Sequence, residues 1–225
     1  MERDLEKLRR ILRSRACVYV GGSCAEPRGL LDIIGEHCQS SGGIRYIQFP
    51  LGAVNQRDLT KLTPDATMDV FFMTPFLHDS YNEGRVNFLP MHMRAVFDYL
   101  SVTTLDVALL QAARDRNGKL RFGPNVDFLP AVLGNARHII VEENSNFVAP
   151  ISSPLVDTSS VDLVLNVGEE PPTFPVGKID DVSKKIGKQI ASLIKDGDCI
   201  QTGIGAVPAA ILANLGDRND LGFHG

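Results

Sequence analysis

Short apolar runs alternate along this chain with segments whose apolar residues recur at helical spacing, and this alternation limits the possible folds more than any other feature. The runs are apolar almost throughout, which is typical of strands buried on both faces of a parallel sheet. Strands that alternate with helices favour an α/β architecture. The sequence therefore predicts an open, mostly parallel sheet flanked by helices, with strands at residues 17–20, 44–49, 68–73, 105–110, 138–142 and 161–165.

The helical segments are marked by apolar residues three and four positions apart and by glycines that follow them. The strongest such pattern covers residues 179–194 and is followed by Gly197. A turn signal at residues 115–118 indicates that residues 120–122 return as a hairpin arm. Further helices are predicted at residues 5–12, 30–38, 77–85, 91–100 and 126–136, and loops at residues 50–67 and 169–175.

A glycine turn at residues 201–208 has the sequence of a strand-to-helix connection, with Cys199 and Ile200 before it and a helical pattern after it that Gly216 would end. Such a turn presents free backbone N–H groups and the positive end of a helix dipole. It therefore favours an anionic or oxyanionic ligand, and the candidate binding residues are Gly203, Ile204, Gly205, Ala206, Val207 and Pro208. An ordinary strand–helix turn remains the alternative.

A dinucleotide fingerprint is disfavoured, because Pro208 takes the place of the third glycine of G-x-G-x-x-G. Ligands of parallel sheets bind at the carboxyl ends of the strands. A second glycine turn, at residues 21–23, is predicted at the same edge of the sheet as residues 203–205. The two turns are therefore able to line one cleft.

The composition disfavours several classes of partner. The net charge is −4 and no block of Lys and Arg occurs, so nucleic acid is not an expected partner. No run reaches the roughly 18 apolar residues of a membrane span, and the charged N-terminus is unlike a signal peptide, so we expect a cytoplasmic protein with no membrane partner. The four cysteines lie far apart without a C-x-x-C pair, which indicates free thiols and no metal or redox cofactor.

Five stretches of the chain share their order and spacing with one known family: residues 22–27 (GSCAEP), 82–90 (NEGRVNFLP), 106–110 (DVALL), 201–208 (QTGIGAVP) and 220–224 (DLGFH). Together they resemble the acetyl-CoA hydrolase/transferase family, whose members include 4-hydroxybutyrate and acetate CoA-transferases. The resemblance implies that residues 1–225 form the N-terminal α/β domain, of the CoA-transferase type, in a longer protein built from two such domains.

The resemblance also implies a reaction. A family CoA-transferase exchanges CoA between an acyl-CoA and a small carboxylate through a glutamyl-CoA thioester on the enzyme. The substrates are then an acyl-CoA and a carboxylate such as acetate or 4-hydroxybutyrate, with no permanently bound cofactor. The amides of the 203–205 turn would stabilise negative charge on the thioester oxygen.

The nucleophile itself is not expected within these residues. In the family the glutamate follows an L-G-x-H segment after one Thr or Ser, and here Gly225 occupies that intervening place. We therefore expect the glutamate directly after Gly225, no catalytic residue in the 225-residue chain, and no activity of this chain alone. The expected partner is the C-terminal domain of the same protein, and a homodimer is one possible assembly.

Other residues are candidates for substrate or CoA contacts by the same resemblance. They are Ser23, Cys24, Glu26, Pro27, Asn82, Pro90, His92, Asn146 and His224. The sequence departs from the family after Asn146, where residues 147–150 read FVAP in place of the family's Met-Pro-Arg-Thr. If this stretch shapes the acyl pocket, the substrate differs from acetate or 4-hydroxybutyrate.

Several alternatives remain open from the residues alone. Cys24 precedes a predicted helix whose dipole would activate a thiol, or it is a small buried residue. Glu26 is either a general base or substrate ligand, or a helix-start residue stabilised by the dipole. The whole protein is alternatively an acyl-CoA hydrolase of the same family, or a non-catalytic module that binds CoA or another anion. A sugar-phosphate isomerase-like domain ranks last, because only Asp220 could serve as its catalytic acid.

Overall fold

The computed structural model describes residues 2–173 and 178–224. The chain divides into two compact units, Met1–Thr173 and Phe174–Gly225. The proposal of one N-terminal domain over residues 1–225 stays a prediction.

The first unit is built around one eight-stranded sheet. Its strands are β1 (Cys17–Val20), β2 (Arg45–Gln48), β3 (Thr67–Val70), β4 (Val86–Phe88), β5 (Leu105–Arg114), β6 (Leu120–Phe122), β7 (Ala136–Glu143) and β8 (Leu163–Asn166). Its helices are α1 (Glu2–Ile11), α2 (Arg28–His37), α3 (His78–Asn82), α4 (Met93–Val102) and α5 (Leu129–Leu133).

The sheet confirms the predicted α/β architecture. Its strand order is β4-β3-β2-β1-β5-β7-β8, and all of these neighbours are parallel. The short strand β6 pairs with the end of β5 in antiparallel fashion, as the predicted hairpin arm requires. Because all the parallel strands run in one direction, their carboxyl ends meet at one edge of the sheet.

Helices cover both faces of the sheet, because successive side chains of a strand point to opposite faces. Val18, Val20 and Leu109 point to the face covered by α1 and α2. Tyr19 and Leu110 point to the opposite face, covered by α4 and α5. The apolar strands are thus buried on both sides, as their composition predicts.

The predicted helix over residues 126–136 is wrong in its extent. Helix α5 spans only Leu129–Leu133, with Pro130 in its first turn and Gly134 following it. Residue Ala136 already begins β7, where it pairs with Leu105. The pairing of this segment with β5 overrides its local helical pattern.

Two other boundaries also move. The strand predicted to end at residue 110 continues to Arg114, because β7 and β6 both pair with the end of β5. The helix predicted over residues 77–85 is a 3-10 turn followed by α3, and Gly84 with φ of 73° redirects the chain into β4. Non-local strand pairing, which local propensity does not report, decided both positions.

The second unit contains α6 (Asp181–Ala191), β9 (Cys199–Gln201), α7 (Ala206–Leu212) and β10 (Gly222–His224). Strands β9 and β10 pair in parallel. Helices α6 and α7 pack closely at Gly187, where an added Cβ would lie 2.6 Å from the carbonyl carbon of Ala210.

The second unit also corrects two predicted boundaries. The helix predicted over residues 179–194 spans Asp181–Ala191, and Ser192, not Gly197, ends it. Gly216 does not end α7, because Ala213 is the C-terminal cap and its N–H donates to the carbonyl oxygen of Ala209 over 3.0 Å. Residues 174–175 of the predicted 169–175 loop lie outside the described residues.

Candidate functional site

Polar side chains lie buried near the carboxyl ends of three parallel strands, with β2 on one side of β1 and β5 and β7 on the other. Gln48 is the last residue of β2, Gln111 lies near the end of β5, and Glu142 lies near the end of β7. Their exposed fractions are 0%, 4% and 1%. All three point to the α2 face, because they stand an even number of positions from Tyr46, Leu109 and Ile140, which belong to the core on that face. Buried polar side chains among apolar strands mark a candidate site.

The loop after β1 brings Glu26 to the same place. Its side chain is 3% exposed, and Nε2 of Gln48 donates to its Oε1 over 2.9 Å. Nε2 of Gln111 donates to the backbone oxygen of Glu26 over 3.1 Å. Burial raises the pKa of the Glu26 carboxyl, and the hydrogen bond from Gln48 offsets part of that rise. The predicted helix-start role does not fit, since α2 begins at Arg28.

Asn55 fixes the shape of the same loop. Its Oδ1 accepts from the N–H of Ser23 and of Leu51, each over 2.8 Å, and its Nδ2 donates to the oxygen of Ser23 over 3.0 Å. Ser23 adopts a positive φ of 54°, which is costly for a residue other than glycine. The buried amide of Asn55 therefore holds the loop in a conformation that it would not keep alone.

Glu142 joins the end of β7 to the start of α2. The N–H of Leu30 donates to its Oε2 over 2.8 Å. Burial raises the pKa of the Glu142 carboxyl to about 7, although the hydrogen bond from Leu30 opposes the rise. The start of α2 also lies close to the chain after β8, which requires Gly29, because an added Cβ there would lie 1.9 Å from the carbonyl oxygen of Val167.

Asn144 links the network to the next loop. Its Nδ2 donates to Oε1 of Gln111 and to the backbone oxygen of Glu169, each over 2.7 Å. Its Oδ1 accepts from the N–H of Asn146 over 2.9 Å. The polar cluster, as we call these buried residues, consists of Glu26, Gln48, Asn55, Gln111, Glu142 and Asn144.

One atom of the polar cluster lacks a partner. Oε1 of Gln48 is buried, and no donor reaches it among residues 2–173 and 178–224. Nε2 of the same amide donates to Glu26 and to the oxygen of Gly21, which fixes its orientation. A buried unsatisfied acceptor costs about 1–3 kcal/mol, and such costs concentrate at functional sites.

An open cavity of about 450 Å³ lies against the polar cluster. We call it the arginine pocket; it is lined by Glu26, Arg28, Ala53, Val54, Gln56, Arg57, Pro172 and Thr173. Arg57 pairs with Asp32 over 2.5 Å, and Arg28 pairs with Glu169 over 3.4 Å. Both guanidinium groups act electrostatically on Glu26 and favour its charged form. The pocket wall therefore carries two cations and one buried carboxyl.

A smaller cavity of about 30 Å³ lies at the same edge of the sheet. We call it the aromatic cavity; its wall includes Tyr19, Phe49, Leu110, Phe122, Phe128 and the backbone of Gly21 and Gly22. The rings of Phe49 and Phe128 pack with their centroids 5.6 Å apart. Most of these side chains belong to the core on the α4 and α5 face, and the polar residues Asn125 and Asp127 also line the cavity.

The structure brings five of the predicted site residues into this region. Ser23, Cys24, Glu26 and Pro27 lie in the loop after β1, and Asn146 is bonded to Asn144 of the polar cluster. Cys24 lies within a 3-10 turn (Ser23–Ala25), four positions before α2, and its backbone oxygen is 3.5 Å from Nε2 of Gln111. The dipole argument for a reactive thiol therefore loses its basis, since Cys24 is not in the first turn of α2.

Three other predicted residues lie elsewhere. Asn82 ends α3, while Pro90 and His92 follow β4, which is separated from β1 by β3 and β2. His92 is exposed and caps α4, with its Nδ1 accepting from the N–H of Ala95 over 3.3 Å. These residues do not join the polar cluster, and their contact with substrate stays a prediction.

In the second unit, the residues of the glycine turn adjoin His224. The turn follows β9 and is exposed over Gly203, Ile204 and Gly205. Gly205 has a φ of 136°, a conformation that favours glycine. His224 on β10 pairs in register with Gln201 on β9. Gly225 lies outside the described residues, and a cleft shared by the two glycine turns stays a prediction.

Residues 4–171 match the family model of the acetyl-CoA hydrolase/transferase N-terminal domain. The chain belongs to the acetyl-CoA hydrolase/transferase family. Among its relatives, a 4-hydroxybutyrate coenzyme A transferase from Clostridium kluyveri is 31% identical over 159 residues, which cover 69% of this chain and 37% of that protein. A succinyl-CoA:acetate/propanoyl-CoA:succinate CoA transferase from Fasciola hepatica is 27% identical over 222 residues, which cover 95% and 45%.

The fold of this chain is also seen in solved structures. RipA from Yersinia pestis superimposes with a TM-score of 0.81 at 24% identity, covering 98% of this chain and 54% of that one. The chain thus spans less than half of the two curated relatives and about half of RipA. The resemblance expected from the five sequence stretches is confirmed at the level of family and fold.

Two further findings concern the described part of the chain. None of its helices is long and apolar enough to cross a bilayer. Within the same residues, no three His, Cys, Asp or Glu side chains gather in a way that could hold a metal ion. All four cysteines are unbridged.

Sequence reasoning missed most of the polar cluster. Gln48, Gln111 and Glu142 each interrupt an apolar strand near its carboxyl end, and this interruption is the signal that could have found them. Arg28 and Arg57 carry no such signal, because they lie in segments where charged residues are ordinary.

Proposed function

We propose that the protein to which these residues belong transfers CoA between an acyl-CoA and a small carboxylate. Membership of the family supports this proposal, as do the curated relatives, which are CoA-transferases for several acyl groups. The acyl-CoA thioester is then a substrate, and the reaction needs no further cofactor.

The proposed reaction runs through a glutamate that the resemblance puts directly after Gly225. Its carboxylate attacks the acyl-CoA thioester, which releases CoA thiolate and leaves an acyl-glutamyl anhydride. The thiolate attacks the glutamyl carbonyl, which releases the first carboxylate and forms glutamyl-CoA. The incoming carboxylate attacks this thioester, and the thiolate then attacks the new anhydride, giving the new acyl-CoA and the free glutamate.

The observation that carries this proposal is the pairing of β9 with β10. Gln201 lies opposite His224 in a parallel register. A strand that continues this register places the second residue after His224 opposite Gly203. The expected position of the nucleophile is therefore beside the glycine turn, whose backbone N–H groups would donate hydrogen bonds to the thioester oxygen. One such donor contributes about 3 kcal/mol to transition-state stabilisation.

The first experiment traps the covalent intermediate. The full-length protein is incubated with acetyl-CoA, treated with borohydride and weighed intact by mass spectrometry. Reduction of a glutamyl thioester to the alcohol removes one oxygen and adds two hydrogens, and we expect this change only when acetyl-CoA is present. The matched control carries glutamine at the position directly after Gly225.

Three outcomes distinguish the alternatives. The mass change in wild type and its absence in the control support the transferase mechanism. Hydrolysis of acetyl-CoA without transfer to added carboxylate would indicate an acyl-CoA hydrolase. CoA binding with neither the mass change nor turnover would indicate a non-catalytic binding module. The 225-residue chain alone is expected to be inactive in the same assay.

A further inference from the structure

The hydroxyl group of Tyr19 has no hydrogen-bond partner at the aromatic cavity. The side chain of Tyr19 is 5% exposed and forms part of the cavity wall. Over residues 2–173 and 178–224, no protein group accepts a hydrogen bond from this hydroxyl or donates one to it. A buried hydroxyl without a partner is costly, and the cavity is the space from which a partner could reach it.

Two further hydrogen-bond donors lie in the same wall. The side chain of Asn125 is half-buried, and its Oδ1 accepts from the N–H of Asp127 over 2.9 Å. Within the described part of the chain, neither Nδ2 of Asn125 nor the backbone N–H of Gly22 has an acceptor. The cavity therefore offers donors from Tyr19, Asn125 and Gly22, which favour a ligand that carries an accepting oxygen.

Asp127 limits the charge of that ligand. Its side chain lines the cavity and is exposed, and its carboxylate pairs with no cation among the residues that the structure describes. Burial and, to a smaller extent, the charge of Asp127 raise the pKa of Tyr19, so the hydroxyl keeps its proton and remains a donor. A carboxylate close to the cavity repels an anion, and it can accept a hydrogen bond from an N–H group of the ligand.

The size of the cavity allows only a small head group. Its volume of about 30 Å³ holds about two or three water-sized groups, at about 10–15 Å³ for each. The rings of Phe49 and Phe128 and the side chain of Leu110 form an apolar part of the wall. A flat group of three non-hydrogen atoms on a short alkyl chain fits both the volume and this wall.

We propose that the aromatic cavity binds the primary carboxamide group of a small molecule. The carbonyl oxygen of the carboxamide accepts from the Tyr19 hydroxyl, and its NH₂ group donates to the Asp127 carboxylate. This inference concerns the first unit alone and does not rest on the proposed CoA transfer. A carboxylate has the same shape as a carboxamide but carries a negative charge and no N–H group, so the site distinguishes the two.

The test compares propionamide with propionate, which has the same shape. Each compound is titrated into the full-length protein, and the methyl signals of Leu110 in the cavity wall are followed by nuclear magnetic resonance. Wild type is expected to bind propionamide about tenfold more tightly, because Asp127 repels propionate. Tyr19→Phe removes only the hydroxyl and is expected to weaken propionamide binding about fivefold, the effect of one neutral hydrogen bond.

Matched variants separate recognition from structure. Asp127→Asn removes the repelling charge, so propionate binding is expected to tighten about tenfold. Asp98→Asn removes an exposed carboxylate on α4 that pairs with Arg94, and Tyr81→Phe removes the hydroxyl of an exposed tyrosine on α3. Both controls are expected to bind the two compounds as wild type does.

A measurement without any ligand tests the state of the Tyr19 hydroxyl. Because this hydroxyl has no protein partner to lose, Tyr19→Phe is expected to keep the urea-unfolding free energy of wild type or to raise it. A clear loss of unfolding free energy would show that a bound water holds the hydroxyl, and it would reject the carboxamide site.

Four binding outcomes would also overturn the inference. Equal binding of propionamide and propionate by wild type would show that charge is not recognised, and unchanged propionamide binding by Tyr19→Phe would show that the hydroxyl is not used. N-methylpropionamide that binds as tightly as propionamide would show that the NH₂ group is not recognised. Propylammonium that binds more tightly than propionamide would make the cavity a cation site.

Discussion

The carboxyl edge of the sheet in the first unit carries two regions made by alternate residues of the same strands. The polar cluster, on the α2 face, is held by hydrogen bonds from Gln48, Gln111 and Asn144. The aromatic cavity is lined mostly by side chains on the α4 and α5 face, and ring packing around Phe49 and Phe128 holds it together. Both regions lie within a few residues of the loop after β1.

The difference between them is one of energetics. Burial of aromatic rings contributes much to stability, whereas exchange of water for protein hydrogen bonds contributes only about 1 kcal/mol for each bond. The aromatic cavity is therefore expected to carry the stability of this edge. The polar cluster retains a raised pKa and an unsatisfied acceptor, which a purely structural region would avoid.

The largest expected effect is on the aromatic side. Phe128→Ala removes a ring that is 6% exposed, and it is expected to destabilise the first unit by about 3–5 kcal/mol. Phe72→Ala is the matched control, because Phe72 also packs on Phe49 but is 51% exposed. Urea unfolding followed by tyrosine fluorescence reports on this unit, since all four tyrosines lie in it. Equal losses of unfolding free energy for the two variants would contradict the expectation that the aromatic cavity carries the stability of this edge.

A smaller effect is expected from pH on the polar side. The pKa of Glu142 is about 7 in the folded chain against 4.5 without the fold, so the folded state binds its proton more tightly. Its stabilising effect is full below about pH 4.5 and is lost as pH rises through 7, a change of up to about 3 kcal/mol. Unfolding free energies at pH 5 and pH 8 should therefore differ less in Glu142→Gln than in wild type.

The neighbouring residue supplies the control for this pH effect. Glu143 pairs with Arg114 over 2.7 Å, and its side chain points to the other face of β7. Glu143→Gln is expected to keep the pH dependence of wild type. If the unfolding free energy of Glu142→Gln changed with pH as much as that of wild type, other groups, such as Glu26, would cause the pH dependence.

The smallest expected effect comes from one amide of the polar cluster. Asn144→Ala leaves Oε1 of Gln111 without its donor, and it is expected to cost about 2 kcal/mol in urea unfolding. Asn146→Ala is the matched control, because Asn146 is exposed and is expected to cost less than about 1 kcal/mol. If Asn146→Ala lost more unfolding free energy than Asn144→Ala, the loop would be anchored by Asn146 and not by Asn144.

Prediction from sequence succeeded where a pattern is local. Apolar runs located the strands of the sheet, and Gly203 and Gly205 located the turn before α7. It failed at α5, where strand pairing at Ala136 overrode a helical pattern, and at Gly216, which does not end α7. The substrate contacts, the homodimer and the cytoplasmic location stay predictions.

The amino-acid sequence by itself determined the α/β class, the family and the position of the glycine turn before α7, because strand periodicity and motif order are local properties of the chain. Only the tertiary structure decided which polar residues meet. Glu26, Gln48, Gln111 and Glu142 lie far apart in the sequence and come together because parallel strands align their carboxyl ends. Burial, which follows from that alignment, is what raises the pKa of Glu26 and Glu142.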